Sequence, residues 1–433
     1  MMQGWEKIIL GNHIDTLTDY HANGSYKKLK ENVTLKNEPS YCIMVRTLNF
    51  ERNDFSNDLI YIDETEYNFL SKSKVFSGDI LMNKIAQAGS VYLMPKINQP
   101  ASLAMNLFLI RFDNTLDQLF MYYLMKVNEN YIKQFANGTA TTTITKEAVR
   151  NLSFIVPSLN VQRKIANILS AYDDLIENNL KSIKLLGEKA QLTYEQWFLY
   201  RIIDNTVISD KNIKIDTLEN LIVKYINGGW GKEENEGNYT NEAYVIRGTD
   251  MPKVSMGQFD ELPLRFHTES NLKSRILKHG DIAIEMSNGN IDNVGRSFYF
   301  DIGLSEILNK PTICASFCKM LRPKSVELSY LIDAHLKYIY SSNKMLVYKV
   351  QAANGINNFN FEEMIRDEEL FIPEGENLNI LVNSIKSCYK LISNIRIQNQ
   401  YLKEARDILL PRLMTGMIDV KKINVESLKL TSV

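Results

Sequence analysis

Hydrophobic positions along this chain follow two periods in alternation. Two long stretches carry short alternating or fully apolar runs, and each gives way to a segment where apolar residues return at steps of three and four. The first such segment places Leu169, Tyr172, Ile176, Asn179, Ile183, Leu186, Ala190, Thr193 and Trp197 on one face. The second does the same with Leu381, Ile385, Cys388, Ile392, Ile395, Asn399, Leu402, Arg406 and Leu409. This spacing predicts two long helices, each with a heptad seam and its charges on other faces. Each seam holds a polar Asn, which in coiled coils costs stability and fixes register. Both helices follow a proline, Pro157 or Pro373, and Leu410-Pro411 is expected to end the second, since proline cannot continue a helix interior. Neither seam is wide enough for a helix surrounded by protein. The expected partner of each is the other, packed antiparallel; the alternative is that each only caps its own domain.

The stretches between the seams repeat their landmarks in order. Val45-Arg46-Thr47 returns as Ile246-Arg247-Gly248-Thr249, and Ser77-Gly78-Asp79-Ile80-Leu81 returns as His279-Gly280-Asp281-Ile282-Ala283. Residues 100–111 align without a gap onto 311–322, keeping Ala104 with Ala315 and Arg111 with Arg322. Arg247 follows Arg46 by 201 positions and Pro373 follows Pro157 by 216, a drift expected of an old tandem duplication with later loop insertions. Residues 41–45, 80–82 and 153–156 and their counterparts read as strands, and 116–130 and 328–340 as helices. Strand and helix are interspersed without regular βαβ alternation, so the fold class expected is α+β with mixed or antiparallel sheets. The layout is a globular domain over 1–157, a helix over 158–201, a second globular domain over 202–373 and a second helix over 374–433.

A length of 433 residues suits two domains with connecting helices. The first residues, Met1-Met2-Gln3-Gly4-Trp5-Glu6-Lys7, lack the basic-then-apolar pattern of a signal peptide, and no apolar run reaches the ~20 residues of a membrane span. Cys42, Cys314, Cys318 and Cys388 make no disulfide framework and fit a reducing compartment, so the cytoplasm is the expected location. The net charge of −1 lacks the basic excess usual in a nucleic-acid binder, so any such surface must be local.

Catalytic and cofactor-binding patterns are missing. There is no G-x-x-x-x-G-K-[ST], G-x-G-x-x-G, H-E-x-x-H or G-x-S-x-G, and the five histidines are scattered. Cys314 and Cys318, without a second pair, read as buried thiols and not as metal ligands. Asp173-Asp174 and Glu233-Glu234 read as a helix face and a polar loop. Three polar clusters recur in expected loops. They are Arg46-Thr47 with Arg247 and Thr249; Asn83-Lys84 with Ser287, Asn288 and Asn290; and Thr139, Thr141, Thr142 and Thr143 with Asn357 and Asn358. Arg pairs with guanine edges, Asn with adenine, and Thr bonds either or touches a thymine methyl, so these are the candidate DNA-reading residues. A solvated turn is the competing reading of each cluster.

Ala171-Tyr172-Asp173-Asp174-Leu175-Ile176-Glu177-Asn178-Asn179, with Tyr194-Glu195-Gln196-Trp197-Phe198 further on, resembles the central conserved region of specificity subunits of type I restriction-modification systems. Leu409-Leu410-Pro411-Arg412-Leu413-Met414-Thr415-Gly416-Met417-Ile418-Asp419-Val420 resembles the closing signature of that family. The resemblance implies that each globular domain is a target recognition domain for one half of a bipartite double-stranded DNA site. It implies that the helices pair antiparallel as a spacer and dock two adenine-N6 methyltransferase subunits, with two motor/nuclease subunits completing the complex. S-adenosylmethionine, ATP and Mg2+ would serve the complex, with no cofactor, metal or catalytic residue on this subunit. The second module departs at its loop, where Asn357-Asn358 stand in place of threonines. Two alternatives stay open: a specificity subunit of a related two-part restriction enzyme, and a structural adaptor that holds proteins.

Overall fold

A computed structural model describes residues 4–138, 141–351 and 355–420. The chain divides into two compact units, residues 1–173 with 405–433 and residues 174–404. Both divisions fall inside a long helix.

The first unit holds a four-stranded antiparallel sheet in the order Ile14–Asp19, Leu107–Phe112, Ile80–Asn83, Val91–Leu93. A second four-stranded sheet runs Tyr61–Ile62, Cys42–Val45, Ala101–Leu103, Lys74–Val75, with the central pair parallel. An antiparallel ribbon of Trp5–Ile9 with Ser153–Pro157 closes the module. The strands expected at 41–45, 80–82 and 153–156 therefore form, and Ile80–Asn83 and Cys42–Val45 are buried along their whole length. The helix expected over 116–130 is broken into Gln118–Val127 and Glu129–Lys133, each ended within a residue or two by Asn128 and Gln134.

The second unit repeats this topology with one strand fewer in its mixed sheet. Ile222–Asn227, Cys318–Pro323, Ile282–Glu285 and Ser297–Tyr299 form the antiparallel sheet, and Leu264–His267, Asn241–Ile246 and Thr312–Cys314 the mixed one. Ile213–Thr217 pairs with Glu369–Pro373 as the ribbon. Even the irregularity recurs: the pairing slips between Ile14 and Thr16 and again between Ile222 and Lys224. One ion pair fixes the same joint twice. Arg111 grips Asp79 with two bonds of 2.7 Å, and Arg322 grips Asp281 with bonds of 2.7 and 2.6 Å. Bidentate geometry makes this the strong form of a charged hydrogen bond.

The long helices span Leu159–Tyr200 and Glu376–Met414. Pro411 does not end the second one, contrary to expectation: it lies inside the helix, which continues to Met414. The proline costs the helix its own ladder bond, but the final turn still closes, with Thr415 N donating to Pro411 O at 3.0 Å.

The helices pair antiparallel within each unit. In the second, Asn179 donates to Asn399 at 2.8 Å and Leu186 and Cys388 line one groove. In the first, Arg406 donates to Asp173 at 2.6 Å. Ile176, Ile183, Ile385, Cys388, Ile392 and Asn399 are buried, while Leu186, Ile395 and Leu402 are partly covered. The seams are not purely mutual, however. Leu169 and Tyr172 pack into the first module's core, and Ala190, Tyr194 and Trp197 into the second's. The second helix also has a polar docking face: buried Arg396 pairs with buried Asp301, and Ser393 bonds the same carboxylate at 3.2 Å. Pairing and capping are thus both present. Cys314 and Cys318 are buried and free, and burial pushes the Cys314 thiol up to about 12.

Candidate nucleic-acid interface

The recurring polar clusters meet in each module because neighbouring strands end at the same edge. In the first module, Asn83 closes its strand and Thr47 opens the short helix Thr47–Glu51. Thr47 Oγ1 donates to Asn83 Oδ1 at 2.6 Å, and Asn83 Nδ2 donates to the Tyr92 hydroxyl at 3.2 Å. The loop after Asn83 is zipped to the threonine loop. Ala86 N donates to Thr142 O at 2.9 Å, the Thr142 hydroxyl returns a bond to Ala86 O, and Ile144 N reaches Lys84 O at 3.0 Å. Thr141, Thr142 and Thr143 are exposed on the result; Thr139 lies outside the described residues.

Two of the expected readers are placed otherwise. Asn83 is buried, its amide committed to Thr47 and Tyr92, so it braces the surface and does not face solvent. Lys84 is no free cation: with Lys146 it clamps Asp19, each at 2.9 Å, above the Phe108 ring. Burial raises the Asp19 pKa, but its bonds to Lys146 and Lys84 outweigh that and hold the carboxyl below its ordinary value. Arg46 is partly buried, with its guanidinium on Asp58 O.

The second module builds the same edge with different chemistry. Ser287 and Asn288 pair with Asn358 and Asn357 as a small antiparallel ladder. Thr249, Asn290 and Asn358 are exposed, and Ser287 and Asn288 are half-buried. Asn357 is buried, contrary to its expected reading role, because its amide satisfies Asn288 O at 3.2 Å and Gly289 O at 3.0 Å. Arg247 is tied to Asp250 through bonds of 2.7 and 2.8 Å, and that partner raises its pKa further.

Glu285 stands where the first module has Asn83, and Gly248 where it has Thr47. A Cβ on Gly248 would lie 2.1 Å from the Glu285 carboxylate, so the larger acid fits only against glycine. Buried Glu285 accepts from Asn288 at 2.6 Å and from Arg296 at 2.8 Å; Asn288 Oδ1 in turn accepts from Asn290 N at 2.8 Å. An ionic post thus supports the asparagine loop. Asp19, Lys146, Tyr92, Glu285 and Arg296 were missed by sequence reasoning; the Asn83-to-Glu285 mismatch at the end of the repeated Gly-Asp strand was the available signal.

Among the described residues, no helix is long and apolar enough to cross a membrane.

Each unit thus holds a module of similar sheet topology that presents a polar loop surface and packs against its own stretch of the paired helices. Residues 15–185 match the type I restriction modification DNA specificity domain. Along most of its length the chain is similar to the specificity subunit of the type I restriction enzyme HindI of Haemophilus influenzae, at 23% identity covering 80% of this chain and 88% of that one. It is equally similar, at 23% over 86% of both chains, to the MjaIX specificity subunit of Methanocaldococcus jannaschii. Its fold matches the crystal structure of a type I restriction-modification S subunit from M. genitalium, with a TM-score of 0.51 and 17% identity over 94% of this chain and 96% of that one. The chain thus carries the type I DNA specificity domain over residues 15–185 and is similar along most of its length to the specificity subunits of type I restriction-modification systems.

Proposed function

We propose that this chain is a type I specificity subunit that reads a bipartite DNA site, each module taking one half, while the paired helices set the unread spacer and dock methyltransferase subunits. The observation that carries the reading is the convergence of clusters far apart in sequence onto one exposed edge, in both modules: Thr142 on Ala86, and Asn358 on Ser287. Exposed Thr and Asn side chains are the donors and acceptors that base edges require. The two edges differ in chemistry, which fits two different half-sites.

Docking on the helices is supported by an uncovered stripe. Leu185, Leu192 and Leu199 recur every seven residues along the first helix and are exposed at 64%, 61% and 48%. Leucine at that spacing is the seam of a further helix. Methyl transfer and cleavage would be the partners' chemistry, with S-adenosylmethionine, ATP and Mg2+ bound by two methyltransferase and two motor/nuclease subunits; this chain would be non-catalytic. The deciding experiment exchanges residues 1–157 for another family member's recognition domain and maps methylated adenines. One half-site should change and the other persist. Changes in both halves would refute independent reading.

A further inference from the structure

We propose that Trp230 is a nucleobase-stacking side chain of the second module, a contact that the first module does not make. The proposal rests on the reading of that module as a DNA binder. Of the chain's three tryptophans, Trp197 is fully buried, whereas Trp230 keeps 39% of its surface in solvent. Exposing an indole forgoes a large burial gain, so a loop built to do so needs a reason.

The loop is built for it. Trp230 sits in Gly228-Gly229-Trp230-Gly231, and the glycines are required by close approach. A Cβ on Gly228 would lie 2.1 Å from Cys314 O and 2.2 Å from Ala315 O, and one on Gly231, whose φ is +73°, would lie 2.5 Å from Phe266 O. Backbone bonds lock the frame: Gly228 N to Cys318 O at 2.8 Å and Gly229 N to Cys314 O at 2.9 Å. The Arg265 guanidinium lies over the indole, 4.7 Å from its ring centroid, and is itself held by Glu233 at 2.8 Å. The ring is therefore oriented from behind and leaves the rest of its surface open.

That surface adjoins the reading edge. The turn bonded to the Gly frame carries Phe317, exposed at 67%, and Phe317 O accepts from Met286 N at 2.8 Å. Ser287 and Asn288 follow directly. An aromatic platform next to half-buried and exposed Asn amides matches a nucleobase, which offers a π face for stacking and an edge for hydrogen bonds. The local charge argues against a phosphate clamp, because Arg265 is paired with Glu233 and Lys232 with Glu236. In the first module the equivalent strand, Ile14–Asp19, runs into Tyr20, which is buried at 8%, and the equivalent turn carries Met105 and Asn106 in place of Ser316 and Phe317. An aromatic at this edge unstacks or caps a base step, so the second half-site is deformed and the first is not.

The test uses the chain assembled with its methyltransferase partner and a duplex carrying the methylation motif mapped in the host. In a Trp5→Phe background Trp197 and Trp230 are the only tryptophans of this chain, and the difference from the same complex carrying Trp230→Leu isolates the Trp230 emission from that of Trp197 and the partner. Adding the duplex should quench the Trp230 emission, and Trp230→Leu should abolish that quench and weaken binding by about 5- to 150-fold, the span of one lost base stack. Trp230→Tyr should recover part of the affinity. Bound DNA without quenching, or full affinity in Trp230→Leu, overturns the proposal even if that variant proves hard to fold, since the quench is read in a protein that keeps Trp230. Full DNA affinity with lost partner assembly would also overturn it and assign the surface to protein. Failure of the Trp230-containing complex to bind the duplex at all would instead strike the underlying reading of the module.

Discussion

Asn179 and Asn399 meet across the paired helices, the first donating to the second at 2.8 Å, where the two heptad seams each interrupt their apolar run. An amide pair inside such a seam is weaker than two leucines would be, and its value is positional: only one antiparallel register brings the two together. Asn399 is almost fully buried, so its side-chain oxygen depends on this partner.

Removing one amide should therefore cost more than removing both. Asn179→Leu leaves Asn399 unpaired in the seam and should destabilise the second unit by about 1–3 kcal/mol. The double change Asn179→Leu with Asn399→Leu should recover that loss and loosen the choice of register. Urea unfolding of the three variants checks it. Additive losses would mean that the two amides do not act as a pair.

An acid placed in the seam should be harsher still. Ile176 and Ile392 are buried at 8% and 6%, and an Asp at either position would be an unpaired buried carboxylate costing several kcal/mol. Ile176→Asp or Ile392→Asp should break helix pairing and co-purification with a methyltransferase partner while each module keeps its strand content by circular dichroism. Full partner assembly by either variant would contradict the paired-helix reading.

The two modules predict their own rescue. Gly248→Thr should drive a side chain into the Glu285 carboxylate, where even a Cβ would sit 2.1 Å away, and should cost several kcal/mol. Combining it with Glu285→Asn recreates the Thr47–Asn83 arrangement, bonded at 2.6 Å in the first module, and should restore most of the stability. A double mutant no more stable than Gly248→Thr alone would show that the two edges are not interchangeable in this way.

Asp19 gives a pH dependence with a definite sign. Its carboxyl titrates below its ordinary value in the folded chain, since its bonds to Lys146 and Lys84 outweigh burial. A depressed carboxylate contributes stability that is fully present above the unfolded-state pKa of about 3.9 and is lost as pH falls through the folded value. The native chain should therefore exceed Asp19→Asn in stability at neutral pH, with the gap narrowing below about pH 4. Parallel melting curves between pH 3 and 7 test this; a gap that widens in acid would reverse the sign.

What the sequence disclosed and what it hid follow from distance along the chain. The seams were legible because Ile176, Ile183 and their partners recur within one helix, and the duplication because Asp79 and Asp281 each bring their own Arg. Asn83 looked like a loop residue because what buries it, Thr47 and Tyr92, arrives from other strands. Arg406 sat correctly in its seam by spacing alone. Arg396, one position from the seam residue Ile395, was passed over because its partner Asp301 belongs to a loop far away in sequence. The coupling of Gly248 to Glu285 shows in the sequence only as two separate departures of the repeat, from Thr47 and from Asn83, and nothing local says that the two share one space.

The unit divisions, Asp173/Asp174 in one helix and Glu404/Ala405 in the other, are consistent with the register set by Asn179 with Asn399 and by Asp173 with Arg406. A seven-residue insertion at both points would leave the internal bonds of each unit untouched and would preserve the heptad seam, because seven residues are two turns less about 20°. The paired helices would lengthen by about 10 Å at ~1.5 Å per residue. If they act as a ruler, that length corresponds to about three base pairs at ~3.4 Å each. Three base pairs turn B-DNA by about 100°, so the joints between helix and module must absorb a twist, and methylation should slow. Methylome mapping in cells carrying the variant should return both half-site sequences unchanged with a spacer longer by two to four base pairs. An unchanged spacer would mean that the gap is set by the modules or by the partner subunits, and the helices would then be a dock without being a ruler.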